Sequence, residues 1–200
     1  MPRVIAVTSG KGGVGKSNFV LNVGIALAMM DCSVQILDAD LGLANLDVLL
    51  GIRPLRTLDD LIAGRAGLGD ITIKTAYEVE LIPGGSGTQQ LTELNQNQIA
   101  SLVESVADQA RSKDFILVDT GAGISKATVG FLLTAPEVLV AVSNEPTSLT
   151  DAYALIKVLH QNGFAGRLAM FASGVNDSQE ARSVYKKISN AAQRFLNCQV

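Results

Sequence analysis

A glycine-rich loop near the amino terminus constrains this chain more than any other feature. Residues 9–17 have the sequence SGKGGVGKS; they follow the apolar run 4–7 and precede a segment with helical spacing that begins near Ser17. A strand, a glycine loop and a helix in this order are the context in which G-x-x-x-x-G-K-[ST] binds phosphate. The glycines let backbone N–H groups turn inward, and the positive end of a helix lies behind them. The loop therefore predicts a nucleoside triphosphate site.

Two side chains of the loop have predicted roles in this site. The Lys16 ammonium would reach the β- and γ-phosphates, and the Ser17 hydroxyl would bind Mg²⁺. The residues predicted to bind the nucleotide in and beside the loop are Gly10, Lys11, Gly12, Gly13, Val14, Gly15, Lys16, Ser17 and Asn18.

A dinucleotide site is the competing interpretation. Residues 10–15 also fit the fingerprint G-x-G-x-x-G, and Asp38 ends the next predicted strand, about where an acid would bind the ribose of NAD. This interpretation gives no reason for the lysine-serine pair at 16–17 or for a second aspartate at a strand end, Asp119. The triphosphate site is therefore favoured. A glycine turn without a ligand is disfavoured, because four glycines before a helix cost chain entropy.

Three aspartates follow two of the apolar runs. Residues 34–37 lead to Asp38 and Asp40, and residues 115–118 lead to Asp119. Because the carboxyl ends of parallel strands line one crevice, we expect these acids to converge with the loop. A single aspartate at a strand end is better explained as a turn cap, but two beside a phosphate loop favour a Walker-B role for Asp38 and Asp119 in positioning Mg²⁺. Asp40 is placed to orient or deprotonate an attacking water.

Apolar runs alternate with helical patterns along the whole chain, which is typical of βαβ units. We therefore predict an α/β fold of three layers, with a mostly parallel central sheet and helices on both faces. Predicted strands lie near 3–8, 33–38, 79–82, 114–119, 137–143 and 167–172, and predicted helices near 16–30, 57–64, 95–112, 125–134, 148–162 and 178–196.

The composition argues against several classes of protein. Sixteen Lys and Arg against 19 Asp and Glu give a net charge of −3 and no basic footprint for nucleic acid. Cys32 and Cys198 are too few for a disulfide framework, and the single histidine, His160, argues against a Cys/His zinc site. No apolar run reaches about 18 residues, and the amino terminus leads directly into a strand. Neither a transmembrane helix nor a signal peptide is predicted, and we expect a cytoplasmic protein.

The loop and the aspartates together resemble one family. Residues 10–17 (GKGGVGKS), 38–47 (DADLGLANLD) and 119–123 (DTGAG) are similar to the motifs of the MinD/ParA family of ATPases. The additional lysine of the loop, Lys11, corresponds to the deviant Walker-A signature of that family. The resemblance implies a P-loop fold, ATP with Mg²⁺ as the cofactors, and slow hydrolysis.

Three further stretches resemble one branch of the family, the flagellar-number regulators FleN and FlhG. They are residues 47–51 (DVLLG), 86–89 (SGTQ) and 145–157 (EPTSLTDAYALIK). The resemblance covers essentially the whole chain, which is interpreted as a single P-loop ATPase domain, 1–200. Relatives continue with further elements that end in an amphipathic membrane-targeting helix, which we expect this chain to lack. The predicted helix 178–196 is interpreted instead as a core helix, with a buried face of Ala181, Val184, Tyr185, Ile188, Ala192 and Phe195.

The resemblance also implies roles for single residues. Lys11 would reach across a sandwich dimer to the partner's ATP and supply in trans the charge of an arginine finger. Asp40 would be the acid that orients water, while Lys16 would bind phosphate. Family members place an adenine-reading Asn directly after the strand matched here by 167–172. Ser173 stands at that position, so Asn176, three residues further on, is the remaining candidate.

The implied function is a regulatory ATPase whose nucleotide controls dimerisation and, through the dimer, the choice of partner. In the flagellar branch the implied partners are a flagellar transcriptional activator and an SRP-type GTPase, with peripheral attachment to the membrane or the cell pole. A division-site ATPase of the MinD type, a ParA-like partitioning ATPase and a nucleotide-binding module without turnover remain as alternatives.

Overall fold

A mostly parallel sheet forms the centre of the protein in the computed structural model, which describes residues 1–40, 45–85 and 94–200. Seven strands are present in these ranges: β1 Arg3–Ser9, β2 Val34–Ala39, β3 Ile73–Lys74, β4 Glu80–Ile82, β5 Phe115–Ala122, β6 Glu137–Val142 and β7 Arg167–Ala172. Their order in the sheet is β3-β4-β2-β5-β1-β6-β7. Every neighbouring pair is parallel except β3 and β4.

Helices connect the strands and cover both faces of the sheet. In the described ranges they are α1 Lys16–Ala28, α2 Leu46–Leu50, α3 Leu58–Ile62, α4 Leu68–Ile71, α5 Gln96–Gln109, α6 Lys126–Thr134, α7 Pro146–Gln161 and α8 Ser178–Leu196.

The predicted α/β architecture is confirmed, and every predicted strand and helix is present with its ends shifted by a few residues. The elements that were not predicted are α2, α4 and β3, which have five, four and two residues. Segments this short do not show a hydrophobic period. The predicted loop at 86–89 and the 41–44 part of the aspartate motif lie outside the described residues.

Two apolar layers hold the sheet in place. On one face α1 packs through Val20 against Ile36 and Leu117. On the other face α5 to α8 share a larger core that includes Phe131 and Leu155. All six residues of β2 are buried, which explains why its apolar residues do not alternate with exposed polar ones; the two polar residues, Gln35 and Asp38, are buried as well.

The predicted buried face of α8 is partly wrong. Val184, Ile188 and Ala192 are buried, but Tyr185 and Phe195 are 46% and 66% exposed. The helix packs against α7 and against β7, which is the last strand in the order of the described sheet. Val184, Ile188 and Ala192 form the stripe that meets the core, and the rings of Tyr185 and Phe195 lie outside this stripe.

Candidate functional site

The glycine loop joins β1 to α1 at the carboxyl edge of the sheet, where β1 lies between β5 and β6. Ligands of open parallel sheets bind outside this edge, at the point where the strand order reverses. In the usual dinucleotide fold, the strand with the ribose-binding acid is the direct neighbour of the first strand. Here β5 separates β2, which carries Asp38, from β1. The topology therefore contradicts the dinucleotide interpretation.

A cavity of about 680 Å³ opens beside the loop, within the usual range for small-molecule sites. The loop and the first turn of α1 form one wall, and the end of β5 with the first turn of α6 forms the opposite wall. Asp40 and its neighbours complete the lining. Of the predicted nucleotide-binding residues, Gly12, Gly13, Gly15, Lys16, Ser17 and Asn18 line this cavity.

Lys16 and Ser17 meet Asp119 at the base of the cavity. Lys16 is only 7% exposed, which is rare for a lysine without an anionic partner. The Ser17 side chain is hydrogen-bonded to the Asp119 carboxylate, and the Lys16 charge acts on the same group. A cation, a hydroxyl and a carboxylate are thus brought together at the end of the loop, as the sequence predicted.

Asp38 and Asp119 lie side by side on neighbouring strands, with their Cα positions in register and each residue 1% exposed. Burial raises the pKa of Asp38 to about 7, helped by the Asp119 charge and opposed by the backbone N–H groups of Leu46 and Asp40, each 3.2 Å from a carboxylate oxygen. Burial likewise raises the pKa of Asp119 to about 6, opposed by Ser17 and Lys16. A cation at this place would relieve the accumulated negative charge.

The oxygen atoms around Asp119 fit a magnesium ion. Within the described residues, Asp119 Oδ1 is buried without a hydrogen-bond partner, a costly arrangement unless an ion or water completes it. Hydroxyl and carboxylate oxygens are ligands that Mg²⁺ accepts, together with phosphate and water. In residues 1–40, 45–85 and 94–200, no group of three His, Cys, Asp or Glu could hold a metal by itself. Since Mg²⁺ is usually bound through one or two carboxylates together with substrate phosphates, we expect its binding here to need a nucleotide.

Asp40 follows the end of β2, donates its backbone N–H to Asp38 and lines the cavity. Its Oδ1 would be 3.4 Å from a Cβ built on Gly121, at the end of β5. The Asp40 carboxylate therefore lies beside the end of β5, and its charge also acts on Asp38 and Asp119. This position lets it act on a water molecule without being needed to hold a metal.

The loop glycines are required for different reasons. Gly13 and Gly15 have φ angles of 79° and 89°, in the left-handed region that favours glycine. Gly10 is required by packing instead, because a Cβ there would lie 2.2 Å from the carbonyl carbon of Asp151 in α7. Gly10 is not among the described residues that line the cavity, so its contribution to the site is the close contact between the loop and α7.

We expect Gly10→Ala to lower the free energy of unfolding by roughly 3 kcal/mol, because the added methyl group meets helix backbone that cannot move aside as a side chain would. Gly12→Ala is the matched control: its Cβ would meet nothing within 4 Å, and its effect should stay within about 0.5 kcal/mol. Chemical denaturation without nucleotide measures both variants. Equal stability of the two would contradict the close contact at Gly10.

Lys11 points away from the cavity. Its ammonium forms an ion pair with the carboxylate of Glu145, the residue directly before α7. The side chains are 40% and 61% exposed, so the pair contributes little to stability and a phosphate could replace it. Lys11 and Glu145 line a second cavity, of about 430 Å³, beside the loop.

The two candidates for reading the base are engaged within the protein. The Ser173 hydroxyl donates to the Val14 carbonyl at 2.6 Å and thereby ties the end of β7 to the loop. The Asn176 side chain and backbone N–H both donate to Glu180, at 3.1 and 2.9 Å. Ser173 borders the second cavity, whereas Asn176 is outside the described linings of both cavities. The role of Asn176 in base recognition remains a prediction.

Sequence reasoning missed the wall formed by the start of α6. Ser125, Lys126 and Thr128 line the cavity, and Ser125 caps the helix by accepting a hydrogen bond from the Thr128 N–H at 3.1 Å. The sequence could have indicated these residues, because a serine in an N-cap position soon after a predicted strand marks a helix start on the ligand side of the sheet.

We expect the nucleotide-free protein to lose stability as the pH rises from about 4 to 7. The raised pKa values of Asp38 and Asp119 mean that the folded state binds more protons than the unfolded state in this range, so deprotonation costs folding energy. Asp119→Asn removes one such group. Its free energy of unfolding should exceed that of the wild type by roughly 2 kcal/mol at pH 8, and the difference should vanish below about pH 4.

Chemical denaturation at pH 4, 6 and 8 measures this difference. Asp108→Asn, which changes an aspartate in an exposed surface pair, is the control and should behave like the wild type at each pH. An Asp119→Asn effect that stayed constant across the pH range would contradict the raised pKa.

Sequence comparisons connect this site with known proteins. A family model described as an AAA domain matches residues 2–163. The antiactivator FleN of Pseudomonas aeruginosa is 46% identical over 195 residues, which is 98% of this chain and 70% of FleN. The flagellum site-determining protein YlxH of Helicobacter pylori is 36% identical over 194 residues, which is 97% of this chain and 65% of YlxH.

Solved structures give the same fold. MinD in the MinC:MinD cell division complex of Aquifex aeolicus has a TM-score of 0.79 at 28% identity, covering 94% of this chain and 77% of that one. The septum site-determining protein MinD of Pyrococcus horikoshii, complexed with Mg-ADP, has a TM-score of 0.76 at 29% identity, covering 92% of this chain and 77% of that one.

None of the helices in the described residues combines the length and the apolar character that a membrane span requires.

Proposed function

The chain belongs to the MinD/ParA family of ATPases, and from this premise we propose that it is a nucleotide-controlled regulator of flagellar number. The similarity to FleN over almost the whole chain carries the proposal. YlxH, a flagellum site-determining protein, supports the same branch of the family.

ATP with Mg²⁺ is the proposed ligand of the cavity, supported by the Mg-ADP of the related MinD. The loop N–H groups and Lys16 would hold the phosphates. Ser17 and Asp119, with Asp38 beside them, would hold the ion, which supplies charge neutralisation when bound. Asp40 would orient or deprotonate the water that attacks the terminal phosphate. Hydrolysis would be slow, because it ends the ATP-bound state and so resets the switch.

We propose that bound ATP brings two copies of the chain together through the face that carries the loop. Lys11 is the residue assigned to this step: it lies outside the lining of its own nucleotide cavity and is paired with an exposed, replaceable partner. On release from Glu145 it could reach the phosphates of a second copy. The ATP-bound dimer would then present the surface that partners recognise.

The proposed partners are a transcriptional activator of flagellar genes and an SRP-type GTPase. FleN is an antiactivator, which supports the first. The MinC:MinD cell division complex supports a protein partner in general, because its fold is similar to that of this chain. Affinity capture with the chain loaded with a non-hydrolysable ATP analogue, and in parallel with ADP, tests the assignment. Recovery of division-site or DNA-partitioning proteins in place of flagellar ones would favour a MinD or ParA role.

Lys16→Ala tests the nucleotide site itself. We expect it to weaken ATP binding at least 30-fold, about 2 kcal/mol, because it removes the charge-assisted hydrogen bonds of the buried lysine to phosphate. Isothermal titration calorimetry with Mg²⁺ measures the change. Lys157→Ala, an exposed lysine on α7 away from the cavity, is the control and should bind like the wild type. A wild-type protein that bound NADH and not ATP would overturn the proposed function.

A further inference from the structure

A second lysine, in addition to Lys16, lines the nucleotide cavity. The charged side chains in the described lining are Lys16, Asp40 and Lys126. Lys16 is buried at the base, whereas Lys126 is exposed and stands on the opposite wall, at the first residue of α6. A ligand that fills the cavity would therefore border both lysines.

Lys126 is at an unfavourable place for a cation. It directly follows the N-cap Ser125, and the first turn of α6 contains no acidic residue. The N-terminus of a helix is its positive end, which favours Asp or Glu and disfavours Lys. Residues that break such a local rule without compensation are expected at functional sites.

The described part of the chain shows no compensating partner for Lys126. Within the described parts of the chain it takes part in no ion pair or side-chain hydrogen bond, in contrast to Lys11 with Glu145 and Lys113 with Glu80. Lys126 also borders another hollow, of about 430 Å³, whose described lining combines apolar side chains such as Val129 and Leu133 with the neutral polar side chains of Asn95, Gln96 and Asn162. The stem of a lysine packs well on such a surface, but none of the described residues that line the hollow carries a negative charge for its ammonium.

The position of Lys126 selects one end of the nucleotide. Lys16 and Ser17 would hold the phosphates at the base of the loop, while Asp40 and Gly121 lie on the side of the cavity formed by β5 and α6. Lys126 is on that same side. A flexible ammonium suits a terminal phosphate, whose charge it can follow as a point charge.

We propose that Lys126 binds the terminal phosphate of the nucleotide from the same chain and so makes the cavity prefer a triphosphate over a diphosphate. This inference rests on the proposed function, since it needs a nucleotide in the cavity. The role of Lys126 on α6 differs from that of Lys11, which lines the second cavity and pairs with Glu145.

Calorimetric titration with Mg²⁺ and either ATPγS or ADP tests the proposal. Lys126→Ala should weaken ATPγS binding about 10-fold, as expected for the loss of one hydrogen bond to a charged group, and ADP binding less than about 2-fold. Lys126→Arg should restore most of the preference, because it keeps the charge. Lys157→Ala is the matched exposed lysine and should leave both affinities unchanged.

Thermal unfolding without nucleotide supplies a second readout. Lys126→Ala should melt at the wild-type temperature or about 2 °C above it, because it removes a cation from the positive end of α6. Equal losses for ATPγS and ADP, or no loss for either, would overturn the proposal. If the wild type bound neither nucleotide, both the proposed function and the role of Lys126 would be wrong. If the wild type bound both nucleotides and Lys126→Ala bound them equally well, only the role of Lys126 would be wrong.

Discussion

Asp40→Ala is expected to bind ATP like the wild type and to hydrolyse it at least about 100-fold more slowly, the usual contribution of a positioned acid or base. Asp40 lines the cavity, while Ser17 and Asp119 meet at its base, so the substitution leaves the proposed ion-binding groups in place. The charge of Asp40 raises the pKa of both buried aspartates. Its removal should therefore leave them more readily ionised and should not weaken Mg²⁺ binding.

Phosphate release under single-turnover conditions, with nucleotide affinity measured in parallel, separates binding from chemistry. Asp40→Asn keeps the size and a hydrogen-bonding oxygen but cannot accept a proton, so its rate distinguishes orientation of the water from deprotonation. Asp108→Ala, on the exposed surface of α5, is the control. Wild-type turnover by Asp40→Ala would remove Asp40 from the chemistry, and absence of turnover in the wild type would favour a nucleotide-binding module.

The parts of the site that sequence could predict are those fixed by neighbours in the chain. The loop directly follows β1 and directly precedes α1, so its backbone nest depends on local glycines. Asp38 and Asp119 were predicted to converge because parallel strands place their carboxyl ends at one edge, and the register of β2 with β5 brings these two residues side by side. The hydrophobic period and the parallel direction of the strands were therefore sufficient to predict both the loop and the pair of aspartates.

The parts that sequence could not predict depend on contacts between distant segments. Lys11 and Glu145 are 134 residues apart, and nothing in either local sequence indicates that they meet. The requirement for glycine at position 10 was attributed to phosphate binding, whereas the structure adds a contact with the backbone of α7 at Asp151. The exposure of Phe195 likewise depends on where the sheet places α8, which a hydrophobic period does not encode.

Lys11→Ala is expected to have the largest effect of all: loss of both the ATP-dependent dimer and hydrolysis, with turnover reduced about 1,000-fold or more, the range of an arginine finger supplied in trans. ATP should still bind, because the nucleotide cavity is lined by Lys16 and not by Lys11. Light scattering with and without a non-hydrolysable analogue measures the dimer, and calorimetry measures binding. The wild type should be monomeric without nucleotide and dimeric with the analogue.

Glu145→Gln separates the two possible roles of the ion pair. The pair is partly exposed and contributes little to stability, so this variant should fold normally, still form a dimer, and need at most a few-fold less analogue to do so, because Lys11 is released from its own chain. If Glu145→Gln instead lost the dimer as completely as Lys11→Ala, the pair itself would be the structural requirement. Lys157→Ala is the control and should dimerise and hydrolyse ATP like the wild type. If Lys11→Ala did the same, Lys11 would be only an exposed loop lysine. ATP turnover would then have to be explained by the residues of a single chain.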